Sequence, residues 1–150
     1  MTKSINHTFF FTHPPRVVWE YLTNAELMAQ WLMPNDFLPL VGYDFQFKVN
    51  PVPALEFDGI VYCKVLEVKP FTKLSYSWKC GPGNMQITVD SLVEWTLQEK
   101  ENGTELRLNH SGFKEGIHVP LYTAMHDGWA KNIAKINNLL NTATHGTANA

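Results

Sequence analysis

The sequence predicts an α+β fold: a curved antiparallel β-sheet wrapped around a long C-terminal α-helix, with two short helices after the first strand. Three observations predict it. Between Tyr43 and Leu108 successive segments alternate apolar and polar residues with the period of two that a half-buried strand requires. From Tyr122 to Leu140 the apolar residues instead step by three and four, the stripe of an amphipathic helix. A sheet with one apolar face needs a cover, and that last helix is the only element long enough to supply it.

The elements follow in order. Ile5 to Thr12 opens the chain as a strand, because Phe9, Phe10 and Phe11 favour extended backbone. Pro14 and Pro15 end it and suit the first turn of a helix. Arg16 to Leu22 continues that helix, with Val17, Val18, Tyr21 and Leu22 as its apolar side. Asn24 caps a second short helix through Leu32, which Pro34 stops. After a loop, Tyr43, Phe45, Phe47 and Val49 alternate with Asp44, Gln46 and Lys48. Phe57 to Val68 is a longer, more apolar run whose inward face periodicity leaves open. Pro70-Phe71-Thr72 turns it into Leu74, Tyr76 and Trp78, alternating with Ser75, Ser77 and Lys79, and the stretch from Cys80 to Asn84 is a turn.

Val89, Ser91, Val93, Trp95 and Leu97 form one face of the next strand. A two-residue turn centred on Asn102-Gly103, the strongest short hairpin signal, sets its pairing. That register pairs Lys100 with Glu105, Gln98 with Arg107 and Thr96 with Asn109 on the solvent face. On the other face it pairs Leu97 with Leu108 and Trp95 with His110. Pro120 starts the last helix, whose stripe is Tyr122, Met125, Trp129, Ile133, Ile136 and Leu140. His126 lies at the flank of that stripe and Asp127 nearly opposite. Gly128 costs about 1 kcal/mol relative to Ala and removes a side chain from the other flank. Residues 1–141 read as one domain, and 142–150, which carry no apolar pattern, as a disordered tail.

Composition narrows the function. Apolar residues make up 45% of the chain, with five Trp, nine Phe and five Tyr, enough for a core without metal or disulfide staples and enough flat surface to wall a cavity. A net charge of −2, with both signs scattered, lacks the basic stripe that nucleic acid requires. No long apolar run and no leader are present, so a cytoplasmic protein without membrane insertion is expected. Cys63 and Cys80 match no metal spacing and read as free thiols in a reducing compartment. His118 and His126 are eight apart rather than the four of a helical zinc pair. No phosphate loop or dinucleotide fingerprint occurs, so neither metal nor cofactor is expected.

Four motifs in order resemble one family. FTHPPRVVWEYLTNAELMAQWL resembles the opening of the AHSA1-like family, named for an activator of the Hsp90 ATPase, within the SRPBCC or START/Bet v 1-like helix-grip superfamily. CKVLEVKPFTKLSYSWK is similar to its strand-turn-strand segment, VEWTLQEKENGTELRLNHSGF to its hairpin, and Gly128-Trp129 followed by Ile133 and Ile136 to its closing helix. The resemblance runs from about Phe9 to Leu140. It implies a sheet gripping a helix with a hydrophobic cavity between them, in a superfamily that binds lipids, steroids or polyketides and sometimes cyclises or hydroxylates aromatics.

His110 is the leading site candidate. As a ligand contact it is a polar handle in an apolar cavity. Its ordinary reading, slightly the better one, is a core histidine satisfied by a backbone group or by Ser111. Trp78, Trp95, Trp129 and Phe45, with Tyr76 and Phe47 behind them, are the expected walls, joined by Met125 and Ile133 from the helix. Each alone is more often plain core. An enzyme needs an acid–base pair or an activated nucleophile. No spacing forces His110, His126, Glu56 or Asp58 together, and Ser111 points away from His110. The expected function is binding of a hydrophobic or aromatic small molecule, with no assigned catalytic residue. The alternatives are a cyclase- or hydrolase-like enzyme in the same cavity and a chaperone-associated interaction module. A homodimer is the expected form of any self-association.

Overall fold

A computed structural model describes residues 2–148, and the side chains of residues 3–142. The chain runs β1 (Thr2–Phe11), α1 (Pro15–Thr23), α2 (Ala25–Trp31), β2 (Asp44–Lys48), a 3-10 turn (Pro53–Leu55), β3 (Ile60–Lys69), β4 (Lys73–Cys80), β5 (Val89–Lys100), β6 (Gly103–Lys114) and α3 (Val119–Ala148). The strands make one antiparallel sheet in the order β1-β6-β5-β4-β3-β2. This is the α+β architecture the periodicity predicts, a curved sheet around a long C-terminal helix. α3 continues to Ala148, past the end of the apolar stripe at Leu140. Residues 149 and 150 lie outside the described residues.

Proline and asparagine place the two short helices as expected. Pro15 occupies the first position of α1, where its missing N–H is not needed. Asn24 caps α2, its side chain accepting from the Leu27 N–H at 3.0 Å. The Trp31 indole donates to the Tyr21 carbonyl at 2.7 Å, which locks the pair together. Val18, Trp19, Tyr21, Leu22, Met28 and Trp31 are buried against the sheet and α3.

The β5–β6 hairpin turns one residue earlier than Asn102-Gly103 suggests. Lys100 pairs with Gly103, Leu97 with Leu106, Trp95 with Leu108 and Val93 with His110. Glu101 and Asn102 are the turn residues, at φ +50° and +65°, both positive as a type I′ turn demands. Gly103 is needed for another reason: a Cβ there would run into the Phe11 carbonyl oxygen of β1. The correction displaces every partner by two residues, which preserves faces because side chains alternate with period two. His110 therefore still looks inward, but beside Val93 rather than Trp95. The expected Lys100–Glu105 contact persists as a diagonal pair at 3.4 Å.

Gly112 supplies the second local device. At φ +95° it sits where the β1–β6 register shifts, between Lys3 and Ser4 of the partner strand. The extra residue resets the alternation, so that His110 and Phe113, three apart, are both buried on the inner face. Their rings lie 4.4 Å apart between centroids. In β3, Val61, Cys63 and Val65 face inward, and the exposed Tyr62 and Leu66 on the other face are what makes the run look apolar throughout; a second register shift follows between Val65 and Glu67.

Glu101 in a left-handed conformation carries a penalty that Asn tolerates better. Glu101→Asn is expected to raise stability by about 0.5–1 kcal/mol, a Tm increase of about 2 °C for a chain of this size. Gly103→Ala should lower stability by more than 1 kcal/mol, roughly the scale of overpacking. Thermal unfolding of the two variants checks the observed register, and a stabilised Gly103→Ala would contradict it.

Candidate functional site

His110 joins α3 to the sheet through a closed hydrogen-bond chain. The Trp129 indole N–H donates to His110 Nδ1 at 3.0 Å. An indole is a donor only, so Nδ1 must accept, and the neutral ring's proton sits on Nε2. Nε2 then donates to Ser91 Oγ at 2.8 Å, and the Ser91 hydroxyl donates to the Trp78 carbonyl at 2.9 Å. Ser91, on β5, replaces the expected Ser111. Ser91 lies against Gly112 of β6. Burial pushes the imidazole pKa down to about 3. His110 is thus a satisfied core histidine, neutral at ordinary pH, with both nitrogens engaged.

Around it the aromatics form a continuous array of edge-to-face and tilted contacts. Trp31 meets Trp95 at 5.8 Å and 85°, Trp95 meets Trp129 at 5.5 Å and 81°, and Trp129 meets Trp78 at 5.2 Å. Phe45 and Phe47 continue it, at 5.3 Å and 6.3 Å from Tyr76. The Trp95 indole donates to the Tyr76 hydroxyl at 3.0 Å. Burial raises the Tyr76 pKa, so it stays a neutral phenol.

Beside this array lies a cavity of about 200 Å³. Its sheet wall is Val61, Trp78 and Cys80. Its roof is the α3 face of Leu121, Met125, Gly128 and Trp129, whose spacing of three and four puts them on one side. Leu32 and Met33 close it from the end of α2, and Val52, Leu55 and Phe57 from the loop before β3. That loop is fastened to the start of α3: His118 meets Glu56 at 2.9 Å and the Ala54 carbonyl at 3.2 Å. Asn132 stands in the lining as its one amide. A Cβ on Gly128 would have no atom within 4 Å, so the missing side chain enlarges the space.

Trp78 is the exception in this otherwise satisfied interior. Its side chain is 4% exposed, and among the described residues its indole N–H is the one buried side-chain polar atom with no partner. Leaving such a donor buried costs about 1–3 kcal/mol.

Three of the expected site residues, Trp78, Met125 and Trp129, line the cavity. His110, Trp95, Tyr76, Phe45, Phe47 and Ile133 do not; they form the packed layer behind its walls. His126 instead contacts Asp127 at 3.1 Å, away from any acid–base pairing with His110. Among the described residues no His, Cys, Asp or Glu group is arranged to hold a metal ion. Sequence reasoning missed the loop residues Val52, Leu55 and Phe57, which sit outside regular strands and carry no periodic signal. Gly128 was the available clue to the space.

A family model described as activator of Hsp90 ATPase homolog 1-like protein matches residues 12–141. Protein MLL2253 from Mesorhizobium loti is 31% identical, with 93% of this chain and 98% of that one covered and a TM-score of 0.81. Protein BH1534 from Bacillus halodurans is 28% identical over 89% and 94% of the two chains, with a TM-score of 0.70. The Aha1 dimer from Colwellia psychrerythraea is 21% identical over 91% and 94%, with a TM-score of 0.72. No curated protein matches the sequence.

The buried imidazole makes a testable contribution to acid stability. Below its ordinary value of 6.5 the unfolded chain binds a proton that the folded ring refuses until about pH 3. Stability from this group is therefore complete above pH 6.5 and declines as the pH falls toward 3. Replacing His110 with Gln keeps a donor and an acceptor but removes the titration. Urea unfolding between about pH 6 and 4 should fall less steeply for His110→Gln, by up to about 1.4 kcal/mol per pH unit. Equal slopes would mean that His110 is protonated in the folded protein.

Proposed function

We propose, from the premise that this chain belongs to the activator of Hsp90 ATPase homolog 1-like family, that it binds a compact hydrophobic small molecule between the sheet and α3. The apolar cavity of about 200 Å³ carries this reading. An apolar protein cavity of about 150 Å³ holds benzene, so the space suits a single aromatic ring with a short substituent. Met33 and Met125, unbranched and polarizable, let the walls adapt to somewhat larger shapes.

Binding is favoured over turnover by what lines the space. General acid–base catalysis needs a titratable group within hydrogen-bond reach of the substrate. The lining contains no carboxylate, histidine, lysine or arginine, and burial pushes the Cys80 thiol up to about 12, so it is no nucleophile at neutral pH. Two free buried thiols, Cys63 and Cys80, fit a reducing cytoplasm. No helix among the described residues is long and apolar enough to cross a membrane. Because Colwellia Aha1 is a dimer, a homodimer is the association state to test, by sedimentation equilibrium.

Thermal shift with a panel of one-ring aromatics tests the cavity. A ligand present at about a hundred times its Kd adds about 2.7 kcal/mol, a Tm rise of roughly 5–10 °C. Gly128→Leu, which places a side chain into the open space, should abolish that rise while remaining folded, since Leu is the better helix former. The proposal fails if no member of the panel shifts the wild-type protein.

A further inference from the structure

We infer that Asn132 selects the ligand: the molecule in the cavity is neutral and carries, on an apolar body, one group that both donates and accepts a hydrogen bond, a carboxamide or a hydroxyl, which the Asn132 side-chain amide meets. This rests on the cavity reading above. Leu121, Met125, Gly128 and Asn132 all line the space. At 100° per residue these four positions fall within about 60° of arc on α3, with Asn132 near the middle. The buried residues Ile133 and Leu140 lie about 80–100° further round, so Asn132 belongs to the roof and not to the packed stripe. It is half-buried, and among the described residues its amide makes no hydrogen bond. The Trp78 indole N–H also lacks a partner, but it is fully enclosed and cannot be reached from the space. The Cys80 thiol is only a weak donor. Among the lining residues, Asn132 therefore supplies the one strong hydrogen-bonding side chain that a ligand can reach.

The cavity has two unlike ends. His118 fastens the loop of Val52, Leu55 and Phe57 to the start of α3, so the end beside Leu121 is apolar. Asn132 stands three turns further along the roof, about 16 Å from Leu121 at 1.5 Å per residue. Gly128 lies one turn before it, about 6 Å along the axis. A Cβ there would meet nothing within 4 Å. A single aromatic ring fits the opening that Gly128 leaves, and a short substituent then reaches Asn132. The Asn132 amide presents two N–H donors and a carbonyl acceptor. A carboxamide or a hydroxyl answers both kinds. A ketone or ether answers the donor alone, and a hydrocarbon answers neither, leaving polar groups without partners. No Lys, Arg, His, Asp or Glu lines the space, so a carboxylate or an ammonium would lose its hydration with no opposing charge.

The test titrates benzamide, toluene and benzoate into the full chain labelled with ¹⁵N, and into Asn132→Leu. Leu keeps the branched shape without polar atoms and is the better helix former, and the exchange breaks no side-chain hydrogen bond among the described residues. The Asn132 side-chain NH₂ peaks are assigned by triple-resonance experiments and by their loss in the variant. Benzamide should move these peaks in a saturable way and lose about tenfold in affinity in Asn132→Leu, the factor of one well-made amide pair. Toluene should bind both proteins, the variant no less tightly than the wild type. Benzoate should bind neither. The role of Asn132 is overturned, with the cavity reading intact, if toluene alone binds, if the substitution leaves benzamide affinity unchanged, or if toluene loses as much as benzamide does. Benzoate binding as tightly as benzamide overturns the neutral class. Failure of both neutral ligands on the wild-type protein overturns the cavity reading as well. If Asn132→Leu does not fold, the wild-type spectra decide: saturation by benzamide with the NH₂ peaks unmoved overturns the inference, and a saturable shift supports it.

Discussion

The hydrogen-bond chain from Trp129 through His110 and Ser91 to the Trp78 carbonyl is the constraint on which the interior depends. It crosses from α3 to β6, β5 and β4. Apolar packing alone would let a long helix slide or rotate over a sheet at small cost, because dispersion is non-directional. A buried chain in which each atom has one permitted partner fixes one axial position and one rotation of α3. Its direction is set by the indole, which can only donate, and every proton after that is determined. Desolvation keeps the imidazole neutral, so the chain operates without a buried charge and avoids the penalty that an ion pair would incur.

Glycines make this arrangement possible by being small at particular places. Gly112, at positive φ, lets β6 bulge, so that His110 and Phe113 both enter the core. Gly103 lets β1 pass close to the turn. Gly128 does the opposite, keeping space rather than permitting contact. The cavity therefore comes from the sheet's curvature, from the loop that His118 and Glu56 fasten to the helix, and from one missing side chain.

Much of the architecture was legible in the sequence, because period-two and period-3.6 patterns report which face an element buries and survive small errors in pairing. The misplaced hairpin turn shows why. A displacement of two residues changes every partner but no face, so His110 was rightly placed inward while its neighbour was misread. The identity of its partners was not legible, since Ser91 and Trp129 are 19 residues away on either side and meet it only through strand pairing and helix docking. The cavity was harder still. Periodicity marks residues that are buried, and says nothing of where buried residues fail to touch. That Phe45, Phe47, Tyr76 and Trp95 pack solidly while Trp78, Met125 and Trp129 border a hollow is a matter of three-dimensional fit, and Val52, Leu55 and Phe57 come from a loop without pattern.

The strand order carries a further consequence for how the molecule comes into being. β1 pairs only with β6, so Ile5 finds its partner His110 more than a hundred residues along the chain. Of these six strands, the one synthesised first is the last to be seated. β2 to β5 can form their meander by local turns as they emerge, whereas β1 must wait through the closure of a very long loop. Until it arrives, the outer edge of β6 presents unpaired amides and carbonyls to the cell. The slowest contact to form is therefore also the one that shields the nascent sheet from joining a neighbour's.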